Sequence, residues 1–494
     1  MALNYIPLRR ITHAQAITTL LRVLFVALLI GRFLFPFFYN PIDCLISDML
    51  RHLNNGYSLT QPGFYNAMDP KGYQLWVRML LLFPDDQARA FDALFNGILC
   101  AGLPWCWYKA MREITTRNKA YIIAIILGLH VGYLAIYSFF LIETLLLTSV
   151  ALSVWMTLRA IRKRTLSAFI AATLCWLIAG FTKQTALPIM VLALGYELNY
   201  QPQKIRVFII AAALFALCVI AAGLHSIMAL NIFAPFGIPT AQTIARKAEH
   251  TEFGFHAFAG PYNNNYGPWT PEAFLSNPLD PLSTYRTDRI HDTYIAEINV
   301  MNGPFGWAQA LEEVEKNHTW DDTLNEYKEN VLYLFFAYDD IWPHSPFPYP
   351  SYLVEPVFLL RWLWMPCFLV ALGYGPFARM SPHKTWLLLV AFIMTWGFLL
   401  QDVAIVEGRY RKIIGPFLFS ALFFMAEIWW QKEKEGRIPI HRFALNYYVY
   451  PVLRQFLAPL FPLREVKDAP VRAHDSPDDK AFLFRKIKKL IGMT

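Results

Sequence analysis

Ile17-Thr-Thr-Leu-Leu-Arg-Val-Leu-Phe-Val-Ala-Leu-Leu-Ile-Gly-Arg-Phe-Leu-Phe-Pro-Phe-Phe38 is the stretch that decides the fold, and Arg9 and Arg10 precede it. A helix needs about 20 predominantly apolar residues to cross the hydrocarbon of a bilayer. This block meets that length. It is longer than the apolar core of a cleavable signal, and no small-residue cleavage site follows it. It therefore predicts a signal anchor whose N-terminal side stays in the cytoplasm.

Working outward, further apolar blocks recur along the 494 residues. Together they predict an all-α polytopic membrane protein with about ten transmembrane helices: 17–38, 89–108, 120–140, 142–158, 166–182, 185–199, 207–230, 353–373, 386–405 and 414–430. Composition agrees. Charged residues make up 16% of the chain, against roughly 25% in soluble domains. The net charge of +8 does not imply nucleic acid, because the basic residues fall in gaps between apolar blocks. Of the six cysteines, Cys100, Cys106, Cys175, Cys218 and Cys367 lie in apolar blocks and Cys44 in a loop. No CxxC or Cys/His spacing suggests a disulfide framework or a zinc site.

Charge sets the orientation. Lys109, Arg112, Arg117 and Lys119 share one gap, and Arg159, Arg162, Lys163 and Arg164 another. Lys204 with Arg206, and Arg379 with Lys384, fill two more. With ten spans all four gaps lie on the side of Arg9 and Arg10, which the positive-inside tendency assigns to the cytoplasm. Two stretches are then left outside: about 39–88, and the longer 231–352. A basic tail, 431–494, returns to the cytoplasm. Its Phe482–Ile491 segment mixes apolar and basic residues at roughly helical spacing, which suits either an anionic membrane surface or a solvated tail.

Candidate chemistry gathers in the outer segments. Asp48, Arg51, His52 and Asn55 follow the first span at i, i+3, i+4 and i+7, so a helix there carries them on one face. A carboxylate beside Arg and His is a candidate general base; an amphipathic interfacial helix is the other reading. Glu407-Gly408-Arg409-Tyr410-Arg411-Lys412 lies in a short outer loop, where basic residues are usually scarce. Such a cluster can hold a phosphate through forked hydrogen bonds, or contact lipid headgroups. Lys183, in a tight outer turn, is a second displaced cation, either a ligand group or a snorkelling lysine. Glu143, in another short turn, reads as a solvated turn residue, and His130 and His225 as packed.

The long loop carries Tyr266-Gly-Pro-Trp269, then Ser276 through Arg286, then Glu329 through Pro343. Rings beside carboxylates and amides suit a sugar site, and they also suit an ordinary folded loop.

This order of features resembles the GT-C superfamily of polyprenyl-phosphate-sugar-dependent glycosyltransferases. That group includes protein O-mannosyltransferases, the bacterial lipid A aminoarabinose transferase and mycobacterial arabinosyltransferases. The resemblance covers about 1–430 and rests on Ser47-Asp48-x-x-Arg51-His52-x-x-x-Gly56 and Glu407-Gly-Arg-Tyr-Arg-Lys412. It implies an inverting transfer at the outer face of a bacterial inner membrane. The donor is a polyprenyl-phosphate-linked sugar, and the acceptor a glycan, lipid or protein. Asp48 would be the base, with Asp43 the only other nearby carboxylate, since many members have adjacent acidic residues where Met49 stands here. Arg51, His52, Arg286, Glu407 and Tyr410 would line the substrates. Arg409, Arg411, Lys412 and Lys183 would hold the lipid phosphate. No cofactor is implied with certainty, and a divalent metal is left open. The competing readings are a lipid-linked sugar transporter or flippase, and an O-antigen polymerase or ligase. A transporter would place ionisable groups at mid-membrane, whereas the pattern of this sequence predicts them at the outer edge.

Overall fold

The computed structural model describes residues 13–43, 52, 71–230, 233, 235, 381–400, 412–413 and 415–434. Among the described residues every regular element is helical. In chain order these are α1 (His13–Phe38), α2 (Lys71–Leu80), α3 (Asp85–Ile114), α4 (Arg117–Leu129), α5 (Val131–Ala135), α6 (Ile142–Lys163), α7 (Leu166–Thr182), α8 (Leu187–Leu198), α9 (Lys204–Leu230), α10 (Pro382–Leu400) and α11 (Gly415–Lys434).

α6 is the centre of the bundle. It packs on α3, α7 and α8, and 72% of its apolar window is buried, against 22% in α1 and α9. The outer faces of α1 and α9 carry exposed Leu20, Val23, Ile30, Phe208, Leu217 and Leu224, as lipid-facing helices do. Lipid gives no hydrophobic drive to helix pairing, so close packing and hydrogen bonds hold such bundles. The interior of α6 is accordingly lined with small hydroxyls. Thr148 Oγ1 donates to Leu99 O at 2.9 Å, and Trp176 Nε1 donates to Thr157 Oγ1 at 2.9 Å. At the α1–α3 crossing, a Cβ on Gly97 would sit 2.5 Å from Phe33 O, so only glycine allows that approach.

The sequence explains the ends of α6 as well. Glu143 occupies its first turn, and Arg162 and Lys163 its last, matching the helix dipole. Arg164 then turns left-handed at φ 53°, and Thr165 opens α7 by accepting from the Ala168 N–H.

Cross-helix links sort the ends into two rims. On one rim Thr18 donates to Asn118, Arg162 pairs with Glu113, Tyr196 hydrogen-bonds His383, and Lys119 and Lys384 both grip Glu427. On the other, Asn40 donates to Arg89 O, Glu143 pairs with Lys183, and Lys412 reaches Gly132 O. α3 and α6 run parallel and in register, since Leu99–Thr148 and Glu113–Arg162 are equally spaced along both. Helix ends that charge counting assigns to one side thus share a rim.

The count of ten spans is not reproduced in full. Among the described residues three helices are long and apolar enough to cross a membrane, Gln15–Asp43, Ile142–Lys163 and Lys204–Met228. A fourth appears if the bent pair Arg117–Leu129 and Val131–Ser138 is one span. The expected span 120–140 is therefore broken, with a 69° bend. The expected 185–199 contains a helix of only 12 residues, about 18 Å long at 1.5 Å per residue. The expected span 353–373, the outer loop 231–352 other than Phe233 and Pro235, and the tail beyond Lys434 lie outside the described residues.

Candidate functional site

The rim that holds Asn40 also gathers the described members of the predicted site. α1 ends in a 3-10 turn, Pro41–Asp43, closed by the Asp43 N–H on Asn40 O at 3.1 Å. Asn40 anchors the turn to α3 through Arg89 O, and Arg89 Nη2 meets Asp43 Oδ2 at 2.7 Å. Both partners are exposed, at 59% and 41% of their side chains. The pair is therefore worth about 0–1 kcal/mol and orients Asp43 more than it stabilises the fold. Asp48 and Arg51 lie outside the described residues. His52 is buried and meets the Tyr73 ring edge-on, with centroids 5.1 Å apart.

Tyr73 belongs to α2, a short amphipathic helix that lies against α7. Its Gly72 is pressed onto the backbone of Phe181 and Thr182, where a Cβ would come within 2.6 Å of Phe181 O. That contact seats Lys71, whose Nζ donates to Gln74 Oε1 at 3.3 Å, near the end of α7. The next residue after α7 is Lys183. Its Nζ meets Glu143 Oε1 at 2.6 Å, with the side chains only 19% and 4% exposed. The expectation of a solvated Glu143 is thus corrected: this carboxylate is buried and balances Lys183.

From the Glu407–Lys412 loop the described residue is Lys412; Glu407, Arg409, Tyr410 and Arg411, like Arg286, lie outside the described residues. Lys412 is buried at 3% exposure. Its Nζ donates to Gly132 O at 3.3 Å, and its own carbonyl accepts from Tyr133 Oη–H at 3.1 Å. The loop is therefore pinned at its C-terminal end to the break between α4 and α5.

That break rests on a residue that the sequence did not single out. Helix termini leave backbone carbonyls without intrahelical partners, and among lipid tails no water satisfies them. Arg32 of α1, 2% exposed, supplies donors. Its Nη1 reaches Gly128 O at 2.8 Å, its Nη2 reaches Tyr133 O at 2.6 Å, and its Nε reaches Cys100 O at 2.7 Å. Ser138 Oγ donates to Ala135 O at 2.7 Å, satisfying one more. Each bond from a charged donor contributes about 1.5–3 kcal/mol. Asp92 and Glu197 are also fully buried within helices. Asp92 Oδ1 accepts from Asn96 Nδ2 at 2.8 Å. Ionisable groups are thus not confined to the outer edge, which corrects the expectation from the sequence. The apolar runs around them hide them from a hydropathy reading.

Among the described residues no cluster of three or more His, Cys, Asp or Glu is arranged to hold a metal ion. No protein-family model matches the chain, and no curated protein matches it.

Proposed function

We propose that the chain is a membrane glycosyltransferase that moves a sugar from a polyprenyl-phosphate donor to an acceptor hydroxyl or amine at the outer face. The supporting observation is that the described ends of two loops share one rim. The acidic loop leaves α1 through Asn40 and Asp43, and the basic loop ends at Lys412 beside the broken helix that Arg32 of the same α1 holds. In this reading the bond from the acceptor to the anomeric carbon forms as the bond to the lipid phosphate breaks. Asp48 takes the acceptor proton, and the phosphate leaves with the bonding electrons. Arg409 and Arg411 stabilise it through preorganised charge, while Lys412, committed to Gly132 O, anchors their loop.

The test is transfer from a labelled lipid-phosphate sugar by purified protein. Arg409→Lys or Arg411→Lys should raise the KM for donor several-fold, because a lysine cannot form the forked contact. Acceptor KM should change little. Unchanged donor kinetics in both variants, and in the double alanine variant, would remove the phosphate clamp.

Orientation has its own check. A reporter fused at Ala310 should score outside, since 231–352 follows a span that leaves the basic rim. A cytoplasmic score would invert the site.

The broken helix favours a second reading, a transporter or flippase for the same lipid, because discontinuous helices with polar partners build substrate sites in such proteins. Liposomes that move labelled lipid between leaflets while purified protein transfers no sugar would select that reading.

A further inference from the structure

Arg32 sits inside α1, with its side chain buried among three helical segments. It lies more than two helical turns before Asn40 and opposite Cys100, midway along α3. Among the described residues no carboxylate forms an ion pair with it. Its hydrogen bonds run to carbonyls on α3 and on both sides of the break at His130, and the Tyr137 ring lies 5.6 Å from its guanidinium carbon. A charge this deep in apolar surroundings is costly unless its donors are engaged. Three acceptors from three segments suit a planar fork and not an ammonium point.

Tyr133 links this fork to the loop. Its carbonyl takes Arg32, while its hydroxyl donates to Lys412 O. Gly132, one residue earlier, takes the Lys412 ammonium. Gly415, which opens α11, lies so close to the Tyr133 hydroxyl that a Cβ there would overlap it. The seat of Lys412 is therefore made of backbone whose direction is set by the bend.

We propose that Arg32 is a positioning residue: by capping the broken helix it fixes the seat on which Lys412, the last residue of the Glu407–Lys412 loop, docks. The functional part of this rests on reading that loop as the donor's phosphate clamp. Arg32 does not touch the donor. It acts through Tyr133 and Gly132.

The test reports on the seat without needing a donor. In a background with the six native cysteines replaced, Ile413→Cys places a thiol at a buried site beside Lys412. Labelling by a water-soluble maleimide in detergent is then timed. Arg32→Lys, which keeps the charge, and Tyr133→Phe, which cuts only the hydroxyl link, should each speed labelling by about tenfold or more through local opening. A thiol introduced by Val207→Cys, buried near the opposite rim, should label at an unchanged rate in the same variants. Unaltered labelling beside Lys412 in both variants overturns the proposal, as does equal acceleration at both rims, which would mean general unfolding. Donor kinetics add a second readout. Arg32→Lys should raise donor KM with kcat nearly kept, and a fall in kcat at unchanged donor KM would count against positioning. Absence of any sugar transfer by the parent protein would remove the glycosyltransferase reading while the labelling result still decides the seat.

Discussion

Asp48→Asn is expected to abolish sugar transfer while yield and donor binding stay near those of the parent. The substitution keeps size and one hydrogen-bonding oxygen but removes the charge that accepts the proton. Loss of a general base costs about 10²–10⁴ in rate. The neighbouring carboxylate supplies the control. Asp43 is held in a closed turn, and its Oδ2 already accepts from Arg89 at 2.7 Å. A carboxylate so engaged is a poor partner for an incoming hydroxyl, so Asp43→Asn should keep most of its activity. The exposed pair it breaks is worth about 0–1 kcal/mol, so stability should barely change. Initial rates for both variants at saturating donor, measured side by side, decide the assignment. An active Asp48→Asn beside a dead Asp43→Asn would exchange the two roles.

Some of this molecule could be read from the sequence because lipid is a demanding solvent. Ile17–Phe38 had to be helical, since a backbone in hydrocarbon must satisfy its own hydrogen bonds, and α1 spans His13–Phe38. That some of these gaps share a side was legible from charge. Charge alone places Lys119 and Lys384 on one side, and both reach Glu427. What hydropathy cannot show is where hydrogen bonds pass from backbone to side chain. The run around His130 is apolar on balance, so its break does not show in mean hydropathy. The signals available were Gly128 and Gly132 flanking that histidine, and Arg32, one of two arginines inside the first apolar block. Glu143 reads as solvated from sequence because its partner lies 40 residues away, on a different helix end. The block that holds the 12-residue α8 reads as a short span because it is mostly apolar, Glu197 apart, and hydropathy measures polarity, not where a helix begins. Asp48, Arg51 and Arg409 are assigned through spacing and resemblance alone, which is why the variants above carry their weight.

Breaking the Glu143–Lys183 pair should reveal whether Lys183 serves the fold or the donor. Both side chains are largely buried, 4% and 19% exposed. Removing one partner leaves the other charge in poor solvent, at a cost of about 3–5 kcal/mol. Glu143→Gln and Lys183→Met should therefore each lower thermal stability in detergent strongly. The double variant should recover much of the loss, because no lone charge remains. A donor ligand then separates the two roles. If Lys183 binds lipid phosphate, Glu143→Gln presents an uncompensated ammonium that the phosphate can neutralise. A ligand stabilises the state that binds it in proportion to its affinity there. Added lipid phosphate should accordingly raise the stability of Glu143→Gln more than that of the parent, and should do little for Lys183→Met. Equal stabilisation of the parent and all three variants would show that Lys183 does not bind the phosphate. The phosphate would then be left to Arg409 and Arg411, and the pair would serve to tie the end of α7 to the start of α6.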